Sequence, residues 1–232
     1  MKNLFKFAGC FLIIGMLTVP CARAELASAK PEKTLTNREK AHKHILEGIA
    51  YVNRGKFEKA VVEYKKAIKL DPDNYNAYYN MGLVFQKRGR LGQAVKLYKK
   101  TLGINPKDVD AHWNLGVIYS QLGKLDEAVK ENKAAISIAP DFAPAYNNLG
   151  SVYQKKGELR KAVINWEKAL KIQPQYARAH SNLAVAYFAG KQYDLAYKHY
   201  RKAVKAGYIM PISFQKALLT ALRHSENKEK KP

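Results

Sequence analysis

Four asparagines stand at equal intervals along the sequence: Asn80, Asn114, Asn148 and Asn182 are each 34 residues apart. A primary amide donates and accepts hydrogen bonds at once, which matches the one N–H and one C=O that each residue of an extended peptide offers. Asparagine is a middling helix former because its amide competes with the backbone, so four copies at one phase of four helices ask for a reason. Two reasons use the same chemistry: gripping a peptide backbone, or bonding one helix to the next. Just before two of these amides stand Tyr79 and Trp113, and three residues after three of them stand Leu83, Val117 and Val185. Large aromatics beside apolar residues suit the anchors of a peptide site, and they suit equally the packing of one helix against its neighbour.

Other chemistry finds little support. The sequence holds no glycine-rich phosphate loop, no pair of histidines four apart around a glutamate and no serine elbow between glycines. His42 and His44 are two apart and so lie on different faces of a helix. His112 and His180 recur at a phase where a packed aromatic is expected, and packing is the favoured role for both. Both cysteines, Cys10 and Cys21, fall in the first 24 residues, leaving no thiol for a metal site, a nucleophile or a disulfide in the rest of the chain. No catalytic residue, metal site or cofactor is expected.

The asparagines belong to a longer repeat. Pro72, Pro106, Pro140 and Pro174 keep the 34-residue interval, and so do Gly55, Gly89, Gly123 and Gly157. Numbering each unit from Ala41, Tyr75, Val109, Ala143 and Ala177 puts Gly48, Gly82, Gly116, Gly150 and Ala184 at position eight. Position eleven is then Tyr51, Phe85, Tyr119, Tyr153 and Tyr187, and position twenty-four is Tyr64, Tyr98, Asn132, Trp166 and Tyr200. Positions four, seven, eight and eleven share one face of a helix, with a small residue where a second helix approaches and an aromatic beside it. Gly55 and its counterparts end this helix A as left-handed caps, and proline ends helix B.

This pattern of small and large residues resembles the tetratricopeptide repeat family over residues 41 to 208. The resemblance implies an all-α, right-handed superhelical solenoid of five helix pairs, with helices A lining a concave groove that binds peptide segments of partner proteins. The asparagine row at position six resembles the ladder in the repeat domain of O-linked N-acetylglucosamine transferases, without a transferase domain. The family's chaperone-type carboxylate clamp needs lysine at position five, where this chain has Ile45, Tyr79, Trp113, Asn147 and Ser181, so a C-terminal carboxylate is not the expected ligand. Glu47 departs from the large residue usual at position seven, Asn132 from the bulky position twenty-four, and Tyr208 stands where the fifth unit would end in proline. At about 100° per residue, positions two, six, nine and thirteen face the groove. The candidate groove residues are Asn80, Asn114, Asn148, Asn182, Tyr79, Trp113, Leu83 and Val117.

The organisation expected is an export signal over 1–24, a flexible leader and helix start over 25–40, and units over 41–74, 75–108, 109–142, 143–176 and 177–208. A capping helix over 209–223, with Ile212, Phe214, Leu218, Leu219 and Leu222 mostly on one side, and a basic tail over 224–232 complete it. The chain carries 41 Lys+Arg against 19 Asp+Glu, a formal charge of +22. Much of it is placed on helix B at Lys65, Lys66, Lys99, Lys100, Lys133, Lys168, Arg201 and Lys202. That forms either a solvated ridge or a contact for an anionic membrane, polysaccharide or acidic partner.

Lys2 and Lys6 precede an apolar run, Phe7 to Val19, and Ala22-Arg23-Ala24 follows, the order of a cleaved export signal. The run is shorter than the roughly 20 residues that cross a bilayer. Lipid attachment at Cys21 is the weaker alternative, since Pro20 and Thr18 stand where such signals want a small and a Leu-like residue. A periplasmic or secreted protein, with membrane association open to it, is therefore expected, and nucleic acid becomes a minor partner. N-terminal sequencing of the exported form is expected to begin at Glu25; a lipidated chain beginning at Cys21 would refute this reading.

Overall fold

The computed structural model describes residues 35–229. The export signal, both cysteines and most of the leader lie outside the described residues. Ten helices form five antiparallel pairs: α1 (Asn37–Asn53) with α2 (Phe57–Leu70), α3 (Tyr75–Lys87) with α4 (Leu91–Ile104), and α5 (Val109–Gln121) with α6 (Leu125–Ile138). They continue with α7 (Ala143–Lys155) and α8 (Leu159–Ile172), then α9 (Ala177–Ala189) and α10 (Tyr193–Lys205), before α11 (Ile212–Glu229). Each helix A packs on its own helix B, and each helix B on the helix A that follows, so the chain is an all-α solenoid of helix pairs.

The turns follow from single residues. Gly55, Gly89, Gly123 and Gly157 hold φ of 70°, 72°, 75° and 78°, the left-handed region that a side chain makes costly. At the second turn the amide of Gly89 donates to Gln86 O at 2.9 Å and that of Arg90 to Phe85 O at 2.9 Å, closing the helix end on its own carbonyls. The fifth unit makes the same closure with Lys191 at φ 58°. Every proline of the 34-residue series stands two residues after a helix B, outside the helix it would otherwise break. Thr36 and Glu39 cap α1 reciprocally: the Glu39 amide donates to Thr36 Oγ1 at 3.2 Å, and the Thr36 amide to Glu39 Oε2 at 2.7 Å.

The core runs along the pairs at positions eight, twenty and twenty-four. Ala60, Ala94, Ala128, Ala162 and Ala196 at position twenty are fully buried, and so are Tyr98, Trp166 and Asn132 at position twenty-four. A β-carbon added at Gly48 would meet Tyr64 at 2.4 Å, at Gly82 Tyr98 at 2.8 Å, at Gly116 Asn132 at 2.3 Å and at Gly150 Trp166 at 2.6 Å. The position-twenty-four side chain, a ring in three of these units and an amide in the third, therefore rests on bare helix backbone. Asn132 fills its smaller site by donating to Ala128 O at 2.6 Å and accepting from Asn148 Nδ2 at 3.0 Å.

Helix α11 runs through Glu229 instead of ending near Arg223, because nothing between those residues breaks a helix. Of the apolar residues assigned to its packed side, Leu218 is buried and Phe214 meets Phe188 and Tyr200, with ring centroids 5.4 and 6.3 Å away. Ile212 and Leu219 are exposed.

Replacing Gly150 by alanine drives a methyl into Trp166 and to 3.0 Å from Ala162 O, a backbone atom that cannot rotate aside. Overpacking of this kind costs about 1–3 kcal/mol. Urea unfolding of Gly150→Ala is expected to show an unfolding free energy lower by that amount; an unchanged value would mean that the helices part without cost.

Candidate functional site

Position six of helix A does two jobs in the structure. Asn80 is half-buried and donates only along its own helix, to Asn76 O at 2.8 Å. Asn114 is buried and donates to Tyr79 Oη at 3.2 Å and Asp110 O at 2.9 Å. Asn148 donates to Asn132 at 3.0 Å, and Asn182 donates to Asn147 Oδ1 at 3.0 Å. The bonds of Asn114 and Asn182 both span 35 residues, so position six of one unit meets position five of the unit before. Three of the four amides thus stitch helices together with the N–H groups that a peptide would need.

The same seam decides the aromatics. Tyr79 turns toward the core, its ring 5.6 Å from that of Tyr98, and burial with Asp110 nearby pushes its phenol up to about 12. Neither Tyr79 nor Asn114 is free for a ligand, a correction to their assignment to the groove. The physical reason is that consecutive A helices close over them. Trp113 lies edge-on to Phe142 at 5.8 Å and lines a cavity of about 360 Å³ with Pro144, Tyr176, Arg178 and Tyr208. It is separate from a cavity of about 120 Å³ lined by Asn80, Leu83, Ile49 and Lys87.

Several of the side chains that helix A leaves open are apolar. Leu46 is 53% exposed, Leu83 37% and Val185 39%, with Ile49 beside them and Val117 half-buried. Leu46 stands at position six of the first unit, and the others at position nine of the first, second, third and fifth units, the fourth having Ser151 there. Of the eight residues assigned to the groove, Asn80 and Leu83 come together at one cavity; Val117 stands at the position of Leu83 one unit on, Asn182 joins the seam, and Asn148 bonds Asn132 on α6 instead.

All eight ridge cations are exposed. Lys100, Lys168 and Arg201 lie over the rings of Tyr78, Tyr146 and Tyr197 at 5.8, 5.9 and 5.9 Å, and Lys66 pairs with Glu63 at 2.9 Å. The tyrosines Tyr78 and Tyr146 occupy position four of the even units. In the odd units position four is histidine, bonded to a side chain 19 residues on: His44 to Glu63 at 2.6 Å, His112 to Glu131 at 2.6 Å and His180 to His199 at 2.9 Å. His112 and His180 pack, as expected, but the partner at position twenty-three escaped the sequence reading. Its signal was the acidic residue at equal offset in the first and third units.

The slot favours the protonated imidazole in the third unit and the neutral one in the fifth. Glu131 beside His112, with Pro106 O at 3.2 Å from the other ring nitrogen, raises the imidazole above its ordinary value. At the fifth unit burial and Lys202 lower His180, and burial with the facing His180 brings His199 to about 4.

The family comparison covers most of the repeat array. The matches are described as TPR repeat, over residues 48–89, and as tetratricopeptide repeat, over 85–152 and 141–207. Among solved structures, MamA is 29% identical, with TM-score 0.62 over 69% of this chain and 94% of that one. PilF of Pseudomonas aeruginosa is 21% identical, with TM-score 0.74 over 83% and 87%. YrrB, described as a TPR protein with an unusual peptide-binding site, is 22% identical, with TM-score 0.59 over 80% and 92%. A search of curated proteins gave no match.

Because the folded His112 holds its proton more tightly than the unfolded one, the pair stabilises fully below about pH 6.5 and loses this contribution as pH rises through the raised value. Glu131→Gln is therefore expected to lower the melting temperature more at pH 6 than at pH 8.5. An equal loss at both would mean that the ion pair adds nothing.

The phase of the glycines, alanines and prolines, the packing of position eight on position twenty-four and the three family matches together make this chain a member of the tetratricopeptide repeat family.

Proposed function

We propose that this scaffold binds peptide segments of partner proteins along the open face of its A helices and serves the assembly of an envelope complex after export. The observation that carries the reading is the set of exposed aliphatic side chains at position nine, Ile49 and Leu83 in the first two units and Val185 in the fifth, with Leu46 one helical turn before Ile49 and Asn80 one turn before Leu83. Solvent-exposed aliphatic groups at one phase of a solenoid suit an extended or helical peptide with apolar side chains at matching intervals. Affinity in this reading comes mainly from the aliphatic row, because most of the asparagine donors are engaged within the scaffold. The role is that of a scaffold and not an enzyme. The envelope setting rests on the N-terminal segment read as an export signal.

The exposed ridge favours a second reading, an adaptor for anionic membrane or polysaccharide. Salt separates the two, since contacts between exposed charges are screened over about 8–10 Å at physiological ionic strength and apolar burial is not. Envelope extracts passed over the full chain at 0.15 and 0.5 M salt provide the test. Proteins retained at both and lost from a Leu46→Ser, Leu83→Ser, Val185→Ser variant are expected. Retention that disappears at high salt and ignores these substitutions would favour the ridge.

A further inference from the structure

We propose that His44, Glu47 and Glu63 form a binding site for a divalent transition-metal ion of the zinc type. The starting observation is a position where the first unit breaks the repeat. Position seven is Met81, Leu115, Leu149 and Leu183 in the later units, all buried, whereas the first unit has Glu47. Glu47 lies one helical turn from His44 on α1, and its Oε2 is 3.6 Å from His44 Nδ1. From α2, Glu63 places Oε2 at 2.6 Å from the same nitrogen. One ligand atom from each residue lies within 4.8 Å of the others.

The third unit is a built-in control. It repeats the histidine–glutamate pair, His112 with Glu131 at 2.6 Å, but Leu115 stands where the third ligand would be. A hydrogen-bonded pair suffices to pack position four, so Glu47 is surplus to that role. One imidazole and two carboxylates neutralise a dication, and an imidazole in the set favours zinc, nickel or cobalt over calcium and magnesium. Tetrahedral ligands at ~2 Å from zinc stand ~3.3 Å apart, so small side-chain rotations bring the three atoms to that spacing. Glu63 is held in place by burial, its side chain only 10% exposed, while Glu47 at 44% leaves water a way to the fourth position. Lys66, 2.9 Å from Glu63 Oε1, competes with the ion; its side chain is half exposed and can turn into solvent.

The test titrates zinc alone into the untagged full chain by calorimetry at neutral pH, on the wild type, Glu47→Leu and His112→Gln. Glu47→Leu restores an apolar residue of the type found at position seven elsewhere, so it is expected to keep its helical circular dichroism. One ion per chain is expected in the wild type, with binding at least tenfold weaker in Glu47→Leu and unchanged in His112→Gln. No binding to the wild type, equal affinity in Glu47→Leu, or loss in His112→Gln would overturn the site.

Discussion

The seating of a bulky side chain at position twenty-four on bare backbone at position eight is the contact on which the solenoid depends. Without a β-carbon at Gly48, Gly82 or Gly150, the two helices of a unit approach until a tyrosine or tryptophan ring rests directly on helix A. That distance fixes which face of helix A is committed to its own partner and which is left for the next unit or for solvent. The third unit shows how narrow the tolerance is. Its smaller Asn132 leaves less apolar burial, and both amide groups then find partners, one of them in the following helix. An unpaired amide at that depth would cost about 1–3 kcal/mol.

A second seam, between consecutive A helices, sorts the remaining side chains. Position five of one unit touches position six of the next, through Tyr79 with Asn114 and through Asn147 with Asn182. Position nine lies beyond that contact, which is why aliphatic side chains there stay in solvent while the amides turn inward. The division between seam and open surface follows from about 100° of rotation per residue combined with the way one pair stacks on the next.

What was legible in the sequence was whatever repeats as one residue type and acts within one unit. The left-handed glycines, the prolines beyond helix B and the small-to-large match of positions eight and twenty-four are local, so phase alone places them. Tyr79 and Asn114 were assigned to the groove because their partners lie a whole unit away, and no pattern within a helix tells a seam from an open face. The partner of His112 was hidden for a similar reason: position twenty-three is Glu63, Leu97, Glu131, Asn165 and His199, which has no common type, only the first and third units sharing a glutamate. The length of α11 was missed because residues beyond Arg223 are polar helix formers with no repeat to count against.

The alternation at position four, histidine then tyrosine then histidine, gives the array a chemical period of two units beneath its structural period of one. Proton-binding imidazoles thus occur in alternate layers, and tyrosines covered by lysine fill two layers between them. Units are therefore not interchangeable bricks. Removing a single internal unit would set two layers of the same kind side by side, whereas removing two adjacent units would preserve the banding.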